Sequence, residues 1–305
     1  MTLKNKISEL AKRFSLRKAK ERSGSIRKST KNFQIMFLGD ELEKRQLLAS
    51  YSYASGLITI QTNSINEQLS ILSTSNNGNY TITTTGSWTG SAVAGLASSG
   101  TSLYVNQPSG LTSILVNDNG GTVGNSSFQF GTSTASFVNS LSVNFTSATS
   151  GPITVANSAS FTNGASLSLA TKSNCITVSQ PLSATGSGGI SLSGRNIVVT
   201  NNINTASGDI ALYGNGGGSY QTGSFDGVSI SGSSVNVNTA GGNIAIDGRG
   251  ALNTGAAGVS LASSKVQAGG SGSLTITGVS GNGASDWAVG TLINAATVTT
   301  NPHIS

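Results

Sequence analysis

Few side chains of this 305-residue chain have the types needed for acid–base chemistry. Asp209, Asp226 and Asp247 are carboxylates of the C-terminal third, and Arg195 and Arg249 are cations of the same region. Glycoside hydrolysis requires two carboxylates that face one substrate. Asp226 and Asp247 each precede a glycine, as turn residues do, and Asp209 directly precedes a strand-like segment. We therefore predict corner positions for these carboxylates, no catalytic residues and no enzymatic activity.

Nucleophilic and metal chemistry have even less support in the sequence. His303 is the one histidine and Cys175 the one cysteine, which excludes Ser-His-Asp and Cys-His systems and His/Cys metal clusters. NDNGG, Asn117 to Gly121, lacks the D-x-D-x-D-G spacing and the closing Glu of a calcium loop. We predict no metal and no cofactor, a strand position for Cys175, and packing roles for Trp88 and Trp287.

The formal charge of +6 is unevenly distributed along the chain. Residues 1–50 contain 13 of the 17 Lys and Arg and 5 of the 11 Asp and Glu, a net charge of +8, which leaves −2 for residues 51–305. A body with four cations cannot neutralise a phosphate backbone by releasing counterions. We therefore predict that the body has no nucleic-acid partner.

The basic leader, residues 1–50, has one feature of an amphipathic helix. Leu3, Ile7, Leu10 and Phe14 have spacings of 4, 3 and 4, which places them on one helical face opposite the lysines and arginines. The same composition is also typical of a disordered basic tail. No apolar run approaches the length of a transmembrane helix, so we predict no membrane span.

From Tyr51 onward the sequence predicts an all-β body. Short segments such as GLITIQT, NYTITTTG and LSLATKS alternate apolar and polar residues between Gly, Asn and Ser. This alternation, interrupted every 8–12 residues or so, is typical of a sandwich, a barrel or a solenoid. Residues 51–184 are compatible with an irregular solenoid or with a β-sandwich.

Residues 185–305 favour the solenoid because they repeat. A first pattern, GISLSGRNIVV, has copies that start at Gly189, Gly227 and Gly258, and a second, GDIALYG, has copies that start at Gly208, Gly242 and Gly272. Self-similarity at this period indicates stacked coils. We predict a right-handed parallel β-solenoid that continues beyond the end of the chain, so that residues 1–305 would be a fragment of a longer protein.

The solenoid interpretation makes two local predictions. Asn215 to Gly227 and Arg249 to Gly258 would be insertions that loop out from a corner, where extra length costs little. Asp209 and Asn243 would occupy equivalent positions in neighbouring coils, so that an acidic residue is not retained there.

Two family resemblances follow from these motifs. The alternating GVSLxx and GNIxIxG motifs of about residues 185–290 resemble the repeats of secreted β-solenoids of the filamentous-haemagglutinin and autotransporter-passenger type. Leu42, Glu43, Arg45, Leu47 and Leu48 resemble the L-E-P-R-x-L-L motif of very large bacterial surface proteins, notably in planctomycetes. This chain has Lys in place of the usual Pro, at position 44.

The resemblances imply that residues 1–50 are an export or sorting segment that binds the export machinery. The body would then be an extracellular or cell-surface protein, structural or adhesin-like, that acts through extended repeat surfaces. Its partners would be cell-surface glycans or other surface proteins. The alternative is a β-helix that binds or processes polysaccharides.

Overall fold

The computed structural model describes residues 49–62, 67–75, 78–90, 93–118, 127–131, 135–147, 151–216, 221–252, 255–281 and 289–300. These residues belong to one compact unit, Arg45–Ser305. They form 28 strands and, within the described ranges, no helix. The leader with its predicted helix and the sorting-motif residues Leu42, Glu43, Arg45, Leu47 and Leu48 lie outside the described residues.

The strands are short, mostly three to six residues long. In chain order they are β1 (Ala49–Ala54), β2 (Leu57–Thr62), β3 (Gln68–Ser75), β4 (Asn79–Thr84), β5 (Trp88–Gly90), β6 (Leu96–Ser99), β7 (Ser102–Asn106), β8 (Ser113–Asp118), β9 (Ser127–Phe130), β10 (Ala135–Phe137), β11 (Ser140–Phe145), β12 (Ile153–Val155), β13 (Ala159–Phe161), β14 (Leu167–Thr171), β15 (Cys175–Val178), β16 (Leu182–Ala184), β17 (Ile190–Gly194), β18 (Asn196–Val199), β19 (Ile203–Thr205), β20 (Ile210–Gly214), β21 (Val228–Ser231), β22 (Asn236–Thr239), β23 (Ile244–Arg249), β24 (Val259–Ala262), β25 (Lys265–Ala268), β26 (Leu274–Val279), β27 (Thr291–Asn294) and β28 (Thr297–Thr300).

The strands assemble into three sheets. Sheet A has 10 strands in the order β26-β23-β20-β17-β14-β11-β8-β2-β1-β5, and sheet B has 11 in the order β27-β24-β21-β18-β15-β12-β9-β3-β4-β7-β6. Sheet C has 7 strands in the order β10-β13-β16-β19-β22-β25-β28. From β8 onward, each coil contributes one strand to sheet A, the next to sheet B and the third to sheet C, and neighbouring coils pair in parallel. The predicted parallel β-solenoid is confirmed.

The period-two alternation of the sequence produces this fold. In β14 (LSLAT), Leu167 and Leu169 are buried and Ser168 between them is partly exposed, because successive side chains of a strand point to opposite faces. The buried positions then align from coil to coil, as in the column Ile190, Ile210 and Ile244. Branched apolar side chains stacked in this way form one continuous core along the axis.

The coils differ in length, and the difference lies at the corners. We call the turn between a sheet A strand and the following sheet B strand the A–B corner. Equivalent residues are 23 apart between Ser166 and Gly189 but 34 apart between Asp209 and Asn243. The long coils leave the stack at the A–B corner after β20 and again after β23. The two predicted insertions therefore do loop out from a corner.

The predicted grouping of the repeats was wrong for one copy. The segment that starts at Gly189 forms β17, which pairs with β20 in sheet A. The segments that start at Gly227 and Gly258 form β21 and β24, which pair with each other in sheet B, where β21 also pairs with β18. The copy at Gly189 therefore belongs to the second pattern, and the true repeat is one coil of three strands.

Antiparallel strands close the N-terminal end of the stack. β2 and β3 pair in parallel with the first coil, while β1, β4, β6 and β7 add antiparallel partners beyond them. We call β1–β7 the cap. Its strands extend sheets A and B, so residues 51–184 are part of the solenoid and do not form a separate sandwich.

A column of glycines lines the corner that leads into sheet A. A Cβ on Gly208 would overlap the carbonyl oxygen of Gly188, and a Cβ on Gly242 would overlap that of Gly208. The same relation holds between Gly272 and Gly242. Glycine is required here because the backbones of neighbouring coils approach closer than any side chain permits.

Candidate functional site

Asp209 is part of a hydrogen-bonded ladder that precedes the sheet A strands. Its Oδ1 accepts hydrogen bonds from the backbone N of Asn243 at 2.7 Å and from Asn243 Nδ2 at 3.2 Å. Asn243 Oδ1 in turn accepts hydrogen bonds from Ser273 N at 2.9 Å and from Ser273 Oγ at 2.8 Å. The predicted equivalence of Asp209 and Asn243 is confirmed, and the carboxylate fastens one coil to the next.

The two other candidate carboxylates lie elsewhere. Asp226, in the first insertion, accepts a hydrogen bond from Ala257 N at 2.8 Å in the second insertion. Asp247 lies on the outer face of β23, in register with Tyr213. Asp209, Asp226 and Asp247 therefore serve three different positions, and the structure does not assemble them as a pair of carboxylates for glycoside chemistry.

Asp118, in the NDNGG segment that lacks the spacing of a calcium loop, ends β8 and caps the backbone of the next coil. Its carboxylate accepts hydrogen bonds from Thr146 N and Ser147 N, each at 2.8 Å, and from Thr146 Oγ1 at 3.1 Å. Residues 119–121 lie outside the described residues. Within the described ranges, no group of three or more His, Cys, Asp or Glu side chains converges in a way that could hold a metal ion.

Two of the remaining predicted positions are structural. Trp88 is buried in the cap, donates a hydrogen bond from Nε1 to Thr101 O at 2.9 Å and packs against Tyr51. Cys175 begins β15, as predicted for a strand residue, but its half-buried Sγ lies 3.1 Å from the hydroxyl of Thr177. Trp287 and His303 lie outside the described residues.

The structure places three of the four cations of residues 51–305 in one column. Each of the four residues Lys172, Arg195, Asn215 and Arg249 directly follows a small inward-facing residue at the end of a sheet A strand, and these strands are successive neighbours. Neighbouring strands are about 4.8 Å apart, so the column runs parallel to the solenoid axis. We call these four residues the basic corner.

Arg195 has the most unusual environment of the basic corner. It is the single residue between β17 and β18, and its Cζ lies 4.4 Å from the ring centroid of Phe225 in the first insertion. The Nε atom is buried and has no hydrogen-bond partner among the described residues. A buried donor on a charged group without a partner is costly, so the Arg195 guanidinium lacks full compensation and a nearby anion would be stabilised.

The first insertion folds back over the basic corner and forms a cavity of about 140 Å³ there. Gln221 Nε2 donates a hydrogen bond to Lys172 O at 2.8 Å, and Gln221 N donates one to Asn215 Oδ1 at 3.4 Å. The lining also includes Ser193 and Arg195. The cavity is thus bounded by two cations and by the Ser193 hydroxyl, which are donors suited to an anion, while the amide groups of Asn215 and Gln221 donate to backbone carbonyls.

Tyr213 lies beside this cavity on the outer face of sheet A. Its side chain is 39% exposed, and its register partner Ser193 lines the cavity. The neighbouring outer row of the sheet is uncharged and, apart from Leu115, small; its members are Thr59, Leu115, Ser142, Ser168, Ser191, Ala211, Ala245 and Thr275. The flat face therefore leaves an exposed aromatic ring next to a cationic cavity.

Sequence reasoning identified Arg195 and Arg249 but not their alignment, and it gave Lys172 and Tyr213 no role. The signal was present in the ends of the sheet A strands, which read ATK, SGR, YGN and DGR. Recognising it requires the correct coil register, which the wrong grouping of the Gly189 copy obscured.

Comparison with known proteins adds no assignment, since no protein family, curated protein or solved structure matches the chain. In the part of the chain that the structure describes, no helix has the length and apolar character needed to cross a membrane.

Proposed function

We propose that this chain is a structural or adhesin-like β-solenoid of the cell surface or the secreted fraction, delivered by residues 1–50. The observation that carries the proposal is the outer face of sheet A. One row of this face, from Ser142 to Ala245, has small, uncharged side chains in register over successive coils, which makes a long regular surface in place of a single deep site. Extended concave or flat repeat surfaces are what solenoid proteins use to contact large partners.

Export is the part of the proposal that can be tested directly. When protease is added to intact host cells that produce the full chain with a C-terminal tag, we expect the protease to digest the protein. Replacing Leu47 and Leu48 with Ala should retain the protein inside, because these residues end the motif that resembles a surface-protein signal. The matched control is Leu3→Ala with Leu10→Ala in the same leader, which leaves the motif intact. Wild-type protein that stays inside the cell would contradict the proposal.

The second candidate function is polysaccharide binding, and the basic corner beside Tyr213 favours it. Sugars are bound by aromatic rings together with a few well-placed polar groups. The separate positions of Asp209, Asp226 and Asp247 favour binding over polysaccharide processing.

A further inference from the structure

We propose that the cavity at the basic corner binds the carboxylate of an acidic sugar, one unit of an anionic polysaccharide, and that Tyr213 supports the sugar ring. The inference rests on the second candidate function, polysaccharide binding, and names its site and ligand class. It also assigns Lys172, Arg195 and Tyr213 to one site.

The charge of the ligand follows from Arg195. Phe225 covers one face of the guanidinium, so a ligand reaches this group through its N–H edge. The Nε of that edge is buried and has no partner among the described residues, so the charge of the guanidinium is not compensated there and a ligand would bind through the terminal nitrogens. A guanidinium presents its donors as a planar fork that matches a carboxylate, and such charge-assisted hydrogen bonds are among the strongest in proteins.

The size of the cavity limits what enters it. A volume of about 140 Å³ accommodates a carboxylate and its nearest atoms, whereas drug-sized ligands occupy pockets of roughly 300–1,000 Å³. The ring that bears the carboxylate must therefore lie outside the cavity, over the adjoining face of sheet A. Tyr213 is the exposed aromatic side chain at that place, in register with Ser193 on the cavity wall.

The neighbouring charges orient the ligand. Asp247 lies one strand beyond Tyr213 on the same outer row, and Arg249 follows it in β23, so the two charges of that strand oppose each other. Lys172 and Arg195 lie on the opposite side of Tyr213 and attract a carboxylate. The carboxylate therefore points towards Lys172 and Arg195. Three cations in a body of net charge −2 are too few for a nucleic-acid backbone, whose binding depends on many phosphate contacts.

Binding of an oligomer of galacturonic acid to the full chain, measured by calorimetry, tests the assignment. Arg195→Gln removes the charge and the fork at nearly constant size, and we expect it to weaken binding by about tenfold or more. Tyr213→Ala should weaken binding by roughly fivefold, since an aromatic contact contributes about 1 kcal/mol. Lys265→Gln is the matched control, because it removes one positive charge from an exposed position in sheet C and should leave affinity within about twofold. The basic leader is the same in all variants, so it cannot produce these differences.

A second measurement locates the ligand and separates its possible sources. The Nε–H resonance of Arg195, assigned by its loss in Arg195→Gln, should shift on addition of the oligomer and much less on addition of acetate, sulfate or the methyl-esterified oligomer. If acetate binds as tightly as the oligomer and Tyr213→Ala has no effect, the sugar assignment is wrong. A larger shift of the Arg195 Nε–H resonance with duplex DNA than with the oligomer would overturn the ligand class; total DNA binding does not test it, because the basic leader contributes to that binding.

The outcomes also distinguish a failure of the proposed site from a failure of the second candidate function, polysaccharide binding. If the oligomer binds wild type and Arg195→Gln equally well while circular dichroism shows both folded, the site is wrong although polysaccharide binding stands. If the esterified, neutral oligomer binds wild type as tightly as the acidic one, the anionic ligand is wrong. If no sugar oligomer binds the wild-type chain, the site and the second candidate function are both wrong.

Discussion

The cap and the last described coil differ in how far their apolar side chains are covered. At the cap, Trp88 and Leu96 are buried in the strands that end sheets A and B, and Tyr80 packs over the first strand of sheet C. In the last described coil, Leu292 is 45% exposed and Ile293 is 52% exposed, although the register partner of Ile293 is the fully buried Leu261. A parallel coil presents its next neighbour with an open core and open strand edges, so covering that end takes antiparallel strands or large rings.

The core beside the cap and the core of the later coils are filled by side chains of different kinds. Near the cap the inward column of sheet C begins with stacked rings, Phe137 and Phe161, whose centroids are 4.8 Å apart. Farther along, the same column contains Thr205 and Thr239, whose hydroxyl groups both donate to Gly208 O. Large rings fill a wide section of the core, and small residues with glycine corners allow tighter coils. The comparison implies that the two regions depend on different interactions.

Removing one ring should have the largest effect. Phe137→Ala deletes a fully buried ring that stacks on both Tyr80 and Phe161, and we expect it to lower the free energy of unfolding by about 3–5 kcal/mol. Guanidinium denaturation of the full chain measures this value. Phe137→Leu, which keeps most of the volume, should cost less than about 2 kcal/mol. Both variants lose the stacked ring, so equal losses would show that the ring contacts and not the buried volume account for the effect. A loss below about 1 kcal/mol for Phe137→Ala would contradict the prediction.

In the repeat region the corresponding weak point is the glycine column. Gly208→Ala places a methyl group against the Gly188 carbonyl, and we expect a loss of about 3 kcal/mol because neither backbone can move without breaking ladder hydrogen bonds. The matched control is Gly216→Ala, where an added Cβ meets no atom within 4 Å. A comparable loss of stability in the control would refute the requirement for close backbone approach.

A paired substitution tests the contrast between the interior of the stack and its last described coil. Leu261→Ala should cost about 2–5 kcal/mol, as expected for a fully buried side chain. Ile293→Ala, at the register partner, should cost less than about 1 kcal/mol. If thermal denaturation gives the two variants the same melting temperature, Ile293 is covered in solution.

The smallest expected effect is a dependence on alkaline pH. Burial raises the pKa of the Tyr80 phenol, and hydrogen bonds with Val138 and Asn139 lower it by less. The folded state therefore favours the neutral phenol. The contribution of the Tyr80 phenol to the free energy of unfolding is complete below about pH 10 and is lost as pH rises through the higher pKa of the folded state. Tyr80→Phe should make the fall in the free energy of unfolding above pH 10 less steep, although the variant should be less stable than the wild type at neutral pH. Tyr104→Phe, at a 41% exposed position, should leave the slope unchanged.

The fold class could be predicted because its cause is local. Alternation within segments such as LSLAT determines which side chains are inside, and the glycines mark the corners. The insertions and the equivalence of Asp209 and Asn243 also followed from the repeats. The register of the copy at Gly189 did not, because ISLS and VSIS have the same alternation and only strand pairing separates sheet A from sheet B.

The candidate site was less accessible from the sequence for a physical reason. Lys172 and Arg195 are 23 positions apart, and Phe225 reaches Arg195 only because the first insertion folds back across the coils. The cap was equally hidden, since antiparallel and parallel strands share one pattern of alternation. What separates them is the hydrogen-bond ladder, which a single strand does not encode.

The difference in coil length at the A–B corner has a practical consequence. β17 reaches β18 through one residue, whereas β20 reaches β21 through a long excursion, yet the strands on both sides remain in register. The stack therefore accepts connections of different length along one edge without loss of strand register. A foreign peptide grafted at this edge would be displayed at a position along the solenoid axis that is set by the coil that receives it.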